Sequence, residues 1–175
     1  MEAYLAIVSK REVRDYLPDP IREEEMNQIL EAGRASGSSR NRQHWRFILM
    51  RDRKRLRELS VLVTRPANLT GCAAAIVVVL TNPRAQFDAG RAAQNMMLAA
   101  WSLGIGSCPN TPADEPGLKT ALRVPGEAGI PTIISLGYPA PGAPRPRPRA
   151  KPEEVLARID RLPLKDLVYR EVYGG

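Results

Sequence analysis

Two basic segments of this sequence are the clearest candidates for binding a ligand. The first contains Lys10, Arg11 and Arg14, and the second is the arginine- and proline-rich run 145–151. Guanidinium groups present a planar fork of N–H donors that matches the oxygens of a phosphate. If folding brings the two segments together, they form a phosphate pocket. Otherwise the first is a solvated helix end, where cations suit the helix dipole, and the second is a charged linker.

A polar loop stands directly before an apolar run in the stretch SGSSRNRQHWRFIL, residues 36–49. Hydroxyl and amide side chains are dense between residues 38 and 43, and Trp45 then opens the apolar run. Two interpretations are open at this point. Either the loop is simply solvated, or its hydrogen-bonding groups hold a ligand.

The sequence gives no support to a metal site or to a common nucleotide-binding loop. His44 is the only histidine, and Cys72 and Cys108 are far apart in apolar surroundings, which favours free buried thiols in a reducing compartment. No GxGxxG fingerprint and no GxxxxGK[ST] loop is found, so neither a Rossmann nor a P-loop site is indicated.

Length and composition are those of one globular domain. The 175 residues predict a single domain, 1–175, that includes the segment 145–151 and a tail at 162–175. No apolar run approaches the roughly 18–20 residues that span a bilayer. An early Glu2 and the lack of a cleavage pattern argue against a signal peptide, so we expect a cytoplasmic protein. The net charge of +7 either serves solubility or favours an anionic partner.

The hydrophobic pattern predicts alternating helices and strands. A long helix lies within 88–108, is apolar nearly all round and ends at its glycines, which is typical of a helix in a core or a subunit interface. Segment 108–116 is predicted to be a loop. The other predicted helices are 2–14, 23–35, 52–60, 115–122 and 153–160, and the predicted strands are 45–51, 72–80 and 130–139.

Four motifs in order resemble the nitroreductase family of FMN-dependent oxidoreductases. SKREVRDYLPDPI resembles the family opening Arg-Arg-Ser-x-Arg-x-Phe, and ASGSSRNRQHWRFIL resembles Ala-Pro-Ser-x-x-Asn-x-Gln-Pro-Trp. DAGRAAQNMMLAAWSLGIGSC resembles Asp-x-Gly-x-Ala-x-Gln-Asn followed by Leu-Gly-Leu-Gly, and SLGYP with its basic sequel resembles the closing strand. The resemblance covers about residues 6 to 156.

This resemblance implies a fold and an activity. The fold is α+β, a nitroreductase-like three-layer α-β-α sandwich with a mixed central sheet flanked by helices, and two subunits interlock as a homodimer with FMN at their interface. NAD(P)H supplies hydride, and a small aromatic acceptor such as a nitroaromatic or quinone follows in a ping-pong mechanism. The flavin carries the chemistry, so no catalytic side chain is expected. Neither a membrane nor a nucleic acid is an expected partner.

The resemblance also implies which residues bind the flavin. Gln43 braces the polar loop, and the second phosphate clamp has an uncertain register that could bring in Lys151. The implied FMN-binding residues are Lys10, Arg11, Arg14, Ser38, Ser39, Asn41, Asn68, Pro109, Asn110, Thr111, Arg147 and Arg149.

Three positions depart from the family pattern. Glu12 replaces a serine beside the phosphate, so we expect its carboxylate to turn to a cation. His44 replaces a proline and serves either packing or proton donation, and Gly37 replaces another proline, which loosens the loop. Trp45 and Trp101 are expected to pack in the core rather than stack on the flavin.

Two alternatives remain open. The same fold could use a deazaflavin or perform a specialised flavin reaction. The chain could instead be a non-enzymatic module that binds a polyanion through its positive charge, although aromatic residues make up only 5% of it.

Overall fold

The computed structural model describes residues 1–174, so Gly175 at the end of the predicted tail lies outside the described residues. None of the described helices is both long enough and apolar enough to cross a membrane. The strands are β1 (Trp45–Met50), β2 (Ala74–Leu80), β3 (Gly106–Asn110) and β4 (Gly129–Gly137). The helices are α1 (Ala3–Ser9), α2 (Glu23–Arg34), α3 (Arg53–Ser60), α4 (Pro66–Thr70), α5 (Gln86–Ser102), α6 (Glu115–Leu122) and α7 (Pro152–Leu156).

The four strands form one sheet in the order β1-β2-β4-β3, and every neighbouring pair is antiparallel. The expected mixed character is limited, within residues 1–174, to one isolated parallel bridge between Glu12 and Ser107. Strand β2 is buried along its whole length, as its unbroken apolar sequence predicts for a central strand.

Helices cover both faces of the sheet. On one face, side chains of α2 and α5 such as Ile29 and Met96 pack with Ile76 of β2. On the other face, α3, α4 and α6 pack with the alternate residues of β2, among them Val77. The α+β three-layer sandwich is therefore confirmed. Trp45 and Trp101 are 5% and 1% exposed, which confirms their predicted place in the core.

The predicted helix 2–14 is wrong in its second half. Helix α1 ends at Ser9, and residues 10–16 run extended along the edge of the sheet. The amide of Val13 donates to the Ser107 carbonyl at 3.0 Å, and Tyr16 bridges Pro139. Pairing with the sheet edge satisfies the backbone of this segment and buries Val13 completely, which outweighs its local helical pattern.

The predicted loop 108–116 is also wrong at its start, because residues 106–110 form the edge strand β3. Glycine, proline and asparagine are poor strand formers, so local propensity does not reveal it. Pairing with β4 decides the conformation instead. Pro109 is compatible with this strand because an edge strand leaves some of its N–H positions unpaired.

Two glycines let segment 10–16 lie close to the sheet. Gly106 and Gly137 are direct partners across β3 and β4. A Cβ on Gly106 would come within 2.6 Å of Val13, and a Cβ on Gly137 within 2.8 Å of Tyr16. The absence of side chains at this pair therefore fixes where the first basic segment runs.

Candidate functional site

The two basic segments meet at one cavity of about 640 Å³ between the end of α1, the chain after β4, and α7. Four arginines and one carboxylate, Glu154, bring the charge to its walls. The arginines come from three separate parts of the sequence: Arg11, Arg145, Arg147 and Arg158. The excess of guanidinium groups makes the cavity suited to an anion with several oxygens.

Backbone contacts hold two of these arginines in place. Arg11 donates to the carbonyls of Val8 and Lys10, both at 2.9 Å, and so satisfies acceptors that the end of α1 leaves free. Arg145 donates to the Pro139 carbonyl at 3.1 Å. These bonds limit the side-chain freedom that an arriving anion would otherwise have to restrict.

The cavity is lined by a different set of arginines from the one the sequence suggested for the second segment. Arg147 lines it, whereas Arg149 and Lys151 are exposed and do not. Arg145 and Arg158 were not among the predicted residues. In the sequence, Arg158 lies four residues after Glu154 in the predicted helix 153–160, a spacing that would place both on one face. The prediction is wrong at its end, because α7 ends at Leu156 and Arg158 lies in the turn that follows.

The first basic segment divides its side chains between two sides because it is extended. Arg11 faces the cavity, whereas Lys10 turns inward with 6% of its side chain exposed. The Lys10 ammonium lies 2.6 Å from the Glu12 carboxylate and 3.6 Å from the sulfur of Met97. Glu12 thus pairs with a cation, as predicted. Arg14 is exposed.

A buried polar cluster lies beneath this segment. The Asn68 amide donates to Asn110 Oδ1 at 2.7 Å, and Asn110 Nδ2 lies 3.2 Å from Ser135 Oγ. Tyr16 contacts Ser135 Oγ at 3.1 Å and also donates to the Val13 carbonyl. The predicted flavin contacts Asn68 and Asn110 are therefore bonded to each other and nearly inaccessible within one chain.

Burial favours the neutral forms of two ionisable side chains in this cluster. It raises the pKa of the Cys108 thiol and of the Tyr16 phenol above their ordinary values. The charges of Arg14, Glu12 and Lys10 also act on Cys108, with the cations opposing the shift. Cys72 and Cys108 are both free and buried, as predicted, whereas the reducing compartment stays a prediction.

The polar loop at 38–43 is braced by its own side chains and by α5. The Gln43 backbone N–H donates to Ser38 Oγ at 3.0 Å, and the Gln43 side-chain amide donates to Asn41 Oδ1 at 3.1 Å. The Ser39 N–H donates to the buried Asp88 carboxylate at 3.1 Å. Asp88 was not predicted as an anchor, although it opens the third motif.

The same loop holds three residues in the left-handed region. Arg40, Asn41 and Gln43 have φ values of 51°, 54° and 50°. Such conformations cost roughly 1 kcal/mol or more each outside glycine, and they concentrate at ligand-binding loops. None of the residues 38–43 lines the arginine cavity. One chain therefore presents the loop and the cavity as separate surfaces.

The remaining predicted positions flank these features. Pro109 and Thr111 are exposed on either side of Asn110, and the Thr111 carbonyl accepts from the Thr64 N–H at 3.1 Å. His44 is half-buried at the start of β1, with Nδ1 3.3 Å from Thr81 Oγ1. His44 Nε2 is buried and has no hydrogen-bond partner among the described residues, so this contact does not decide between packing and proton donation.

Comparisons with known proteins agree with one another. The sequence matches the family model described as Nitroreductase family over residues 7–76 and 67–138. A protein of Archaeoglobus fulgidus, provisionally named NADH dehydrogenase/NAD(P)H nitroreductase, is 33% identical over 79% of this chain and 86% of its own. An NADH dehydrogenase of Thermus thermophilus is 26% identical over 80% and 88%.

Solved structures show the same fold. An FMN-dependent nitroreductase from Clostridium difficile superposes with a TM-score of 0.73 at 26% identity, covering 99% of this chain and 98% of its own. A nitroreductase family protein from Clostridium difficile 630 gives a TM-score of 0.80 at 21% identity, covering 99% and 100%. Since the family match spans well over half of the sequence, the chain belongs to the nitroreductase family.

Proposed function

We propose that this protein is an NAD(P)H-dependent oxidoreductase that binds FMN and reduces small aromatic acceptors such as nitroaromatics or quinones. The observation that carries the proposal is the meeting of Arg11 with Arg145 and Arg147 at one cavity, in a chain of this family. The 26%-identical neighbour named as FMN-dependent supports the choice of cofactor.

The residues of the cavity fit the phosphate of FMN. A phosphate carries nearly two negative charges at neutral pH. Four arginines and one carboxylate, Glu154, leave an excess of positive charge that is large enough to neutralise the phosphate. In this proposal Arg11, Arg145, Arg147 and Arg158 hold the phosphate. When bound, FMN supplies the hydride chemistry, which explains why no catalytic side chain need be assigned.

The polar loop is proposed to reach the flavin of a second subunit. Ser38, Ser39 and Asn41 lie on a braced, strained loop away from their own arginine cavity. A homodimer that places this loop over the partner's cavity would unite the two surfaces. NAD(P)H and the acceptor would then use the same cleft in turn, in a ping-pong mechanism.

The first test is the visible spectrum of the purified protein, followed by anaerobic addition of NADPH or NADH. We expect flavin absorption bands that bleach with a nicotinamide nucleotide. A colourless protein that takes up no added FMN would contradict the proposal, and a deazaflavin or a polyanion would become the ligand to test.

A matched pair of variants tests the arginine cavity directly. Loss of one charge-assisted contact weakens binding by about 1.5–3 kcal/mol, so Arg147→Ala is expected to raise the Kd for FMN at least about tenfold. Arg149→Ala removes the same charge from a side chain outside the cavity and is expected to change it less than about threefold. The quenching of FMN fluorescence gives the Kd of each variant. Riboflavin lacks the phosphate, so both variants should bind it with the same affinity as the parent.

A further inference from the structure

A second cluster of cations surrounds the polar loop. Four arginines and no carboxylate occur between residues 34 and 46. Arg34 is paired with Glu31, but Arg40 and Arg42 are exposed, and in the part of the chain that the structure describes no carboxylate lies within ion-pairing distance of either. The loop thus presents two uncompensated guanidinium groups on either side of Asn41.

The backbone beneath these arginines is held from both sides. On the β1 side, Arg46 donates to the carbonyls of Gln43 at 3.0 Å and Trp45 at 2.7 Å. On the α5 side, the Arg91 guanidinium sits against Gly37, where a Cβ would come within 2.3 Å of its nitrogen. Gly37, which replaces the family's proline, therefore admits a further cation to the base of the loop instead of merely loosening it.

The flavin does not account for this cluster. FMN carries one phosphate, and the arginine cavity already supplies four guanidinium groups for it. Neither Arg40 nor Arg42 lines the cavity of its own chain, and the four arginines that do line it already exceed the charge of one phosphate. Two exposed guanidinium groups with no carboxylate partner among residues 1–174 suit a second anion that visits the same cleft.

The nicotinamide donor brings such an anion. NADH and NADPH share a pyrophosphate, but only NADPH carries a 2′-phosphate, whose three free oxygens suit paired guanidinium forks. We propose that Arg40 and Arg42 bind the 2′-phosphate of the donor, so that the enzyme prefers NADPH to NADH. This inference rests on the proposed oxidoreductase function and assigns its donor.

The test compares two double variants of equal charge change. Arg40→Ala/Arg42→Ala removes the loop cations, while Lys54→Ala/Arg57→Ala removes two exposed cations from α3 on the opposite face of the sheet. Values of kcat/KM for NADPH and NADH are measured with one quinone on FMN-saturated protein. Calorimetric binding of adenosine 2′,5′-bisphosphate against 5′-AMP gives a readout that does not depend on turnover.

We expect the parent and the α3 variant to prefer NADPH. The loop variant should lose about 10- to 100-fold in kcat/KM for NADPH, change less than about threefold for NADH, and lose its preference for the 2′,5′-bisphosphate. An unchanged flavin spectrum in the loop variant would show that the cofactor site is intact.

Three results would overturn the inference. The first is a parent protein that prefers NADH. The second is a loop variant that loses activity equally with both donors. The third is a loop variant that keeps its donor preference and loses only its salt-dependent retention on nucleic acid. A parent protein that binds no flavin would instead defeat the proposed function itself, so the two failures are distinguishable.

Discussion

Asn110 shows how one buried amide connects three elements of the fold. Its Nδ2 group donates to the carbonyls of Cys108 and Ile133, both at 3.0 Å, which ties the edge strand β3 to β4. Its Oδ1 accepts from Asn68 in α4 at 2.7 Å. A buried amide of this kind contributes through the groups it satisfies, because each would otherwise be desolvated without a partner.

Replacing Asn110 by alanine should therefore destabilise the protein. The change leaves the Asn68 amide and the Ile133 carbonyl short of a partner, and we expect the free energy of unfolding to fall by about 2–4 kcal/mol. Urea denaturation measures the difference. Thr111→Ala at the exposed neighbouring position is the control and should change stability by less than about 0.5 kcal/mol. Equal stability of the two variants would mean that the amide network contributes nothing net.

Residue types were easier to predict than side-chain directions. Charge and motif alone singled out Arg11 and Arg147, which line the cavity, and predicted that Glu12 pairs with a cation. It did not separate the outward Arg11 from the inward Lys10, because alternation of side chains appears only once the segment is known to be extended. Likewise, the choice of Arg145 over Arg149 in lining the cavity depends on how the chain turns after β4.

At the scale of elements, segments with a strong hydrophobic pattern were predicted correctly, whereas segments at the edge of the sheet were not. The prediction for α6 agrees with the structure at both ends, and β2 was placed by its unbroken apolar run. Segment 10–16 and strand β3 were missed because each is defined by its partner in the sheet. Non-local pairing of this kind leaves little local signal in a single sequence.

Gly106 should not tolerate a side chain, because segment 10–16 packs directly against it. In Gly106→Ala the new Cβ would fall 2.6 Å from the stiff Val13 side chain, so the extended basic segment must move away from β3. We expect a loss of about 1–3 kcal/mol in the free energy of unfolding, together with weaker FMN binding. Thermal unfolding and FMN titration check the two effects.

Gly90→Ala is the matched control for that variant. Gly90 lies inside α5 with nothing within 4 Å of a new Cβ, and alanine is the better helix former. We expect a gain of up to about 1 kcal/mol. If both substitutions were neutral, close packing of segment 10–16 on the glycine would not be required.

At the scale of the whole molecule, the C-terminal tail exposes apolar side chains that the rest of the chain does not cover. Residues 162–174 are exposed throughout and include large apolar or aromatic side chains such as Leu162, Leu164 and Tyr173, which are 67%, 75% and 90% exposed. An isolated soluble subunit rarely exposes so much apolar surface in one short segment. In the proposed homodimer, a second subunit would cover these side chains and would also bring the polar loop to the arginine cavity.

Removal of residues 162–175 should therefore weaken the proposed homodimer. We expect the full chain to elute with twice the 19.3 kDa mass of one subunit, and the truncated chain to shift toward a monomer at the same concentration. Light scattering coupled to size exclusion measures this, and circular dichroism shows whether the truncated chain remains folded. FMN affinity should fall with the dimer, because the loop and the cavity would no longer face each other. A truncated chain that stays dimeric and retains FMN would show that the subunits associate through another surface, with the apolar helix α5 as the next candidate.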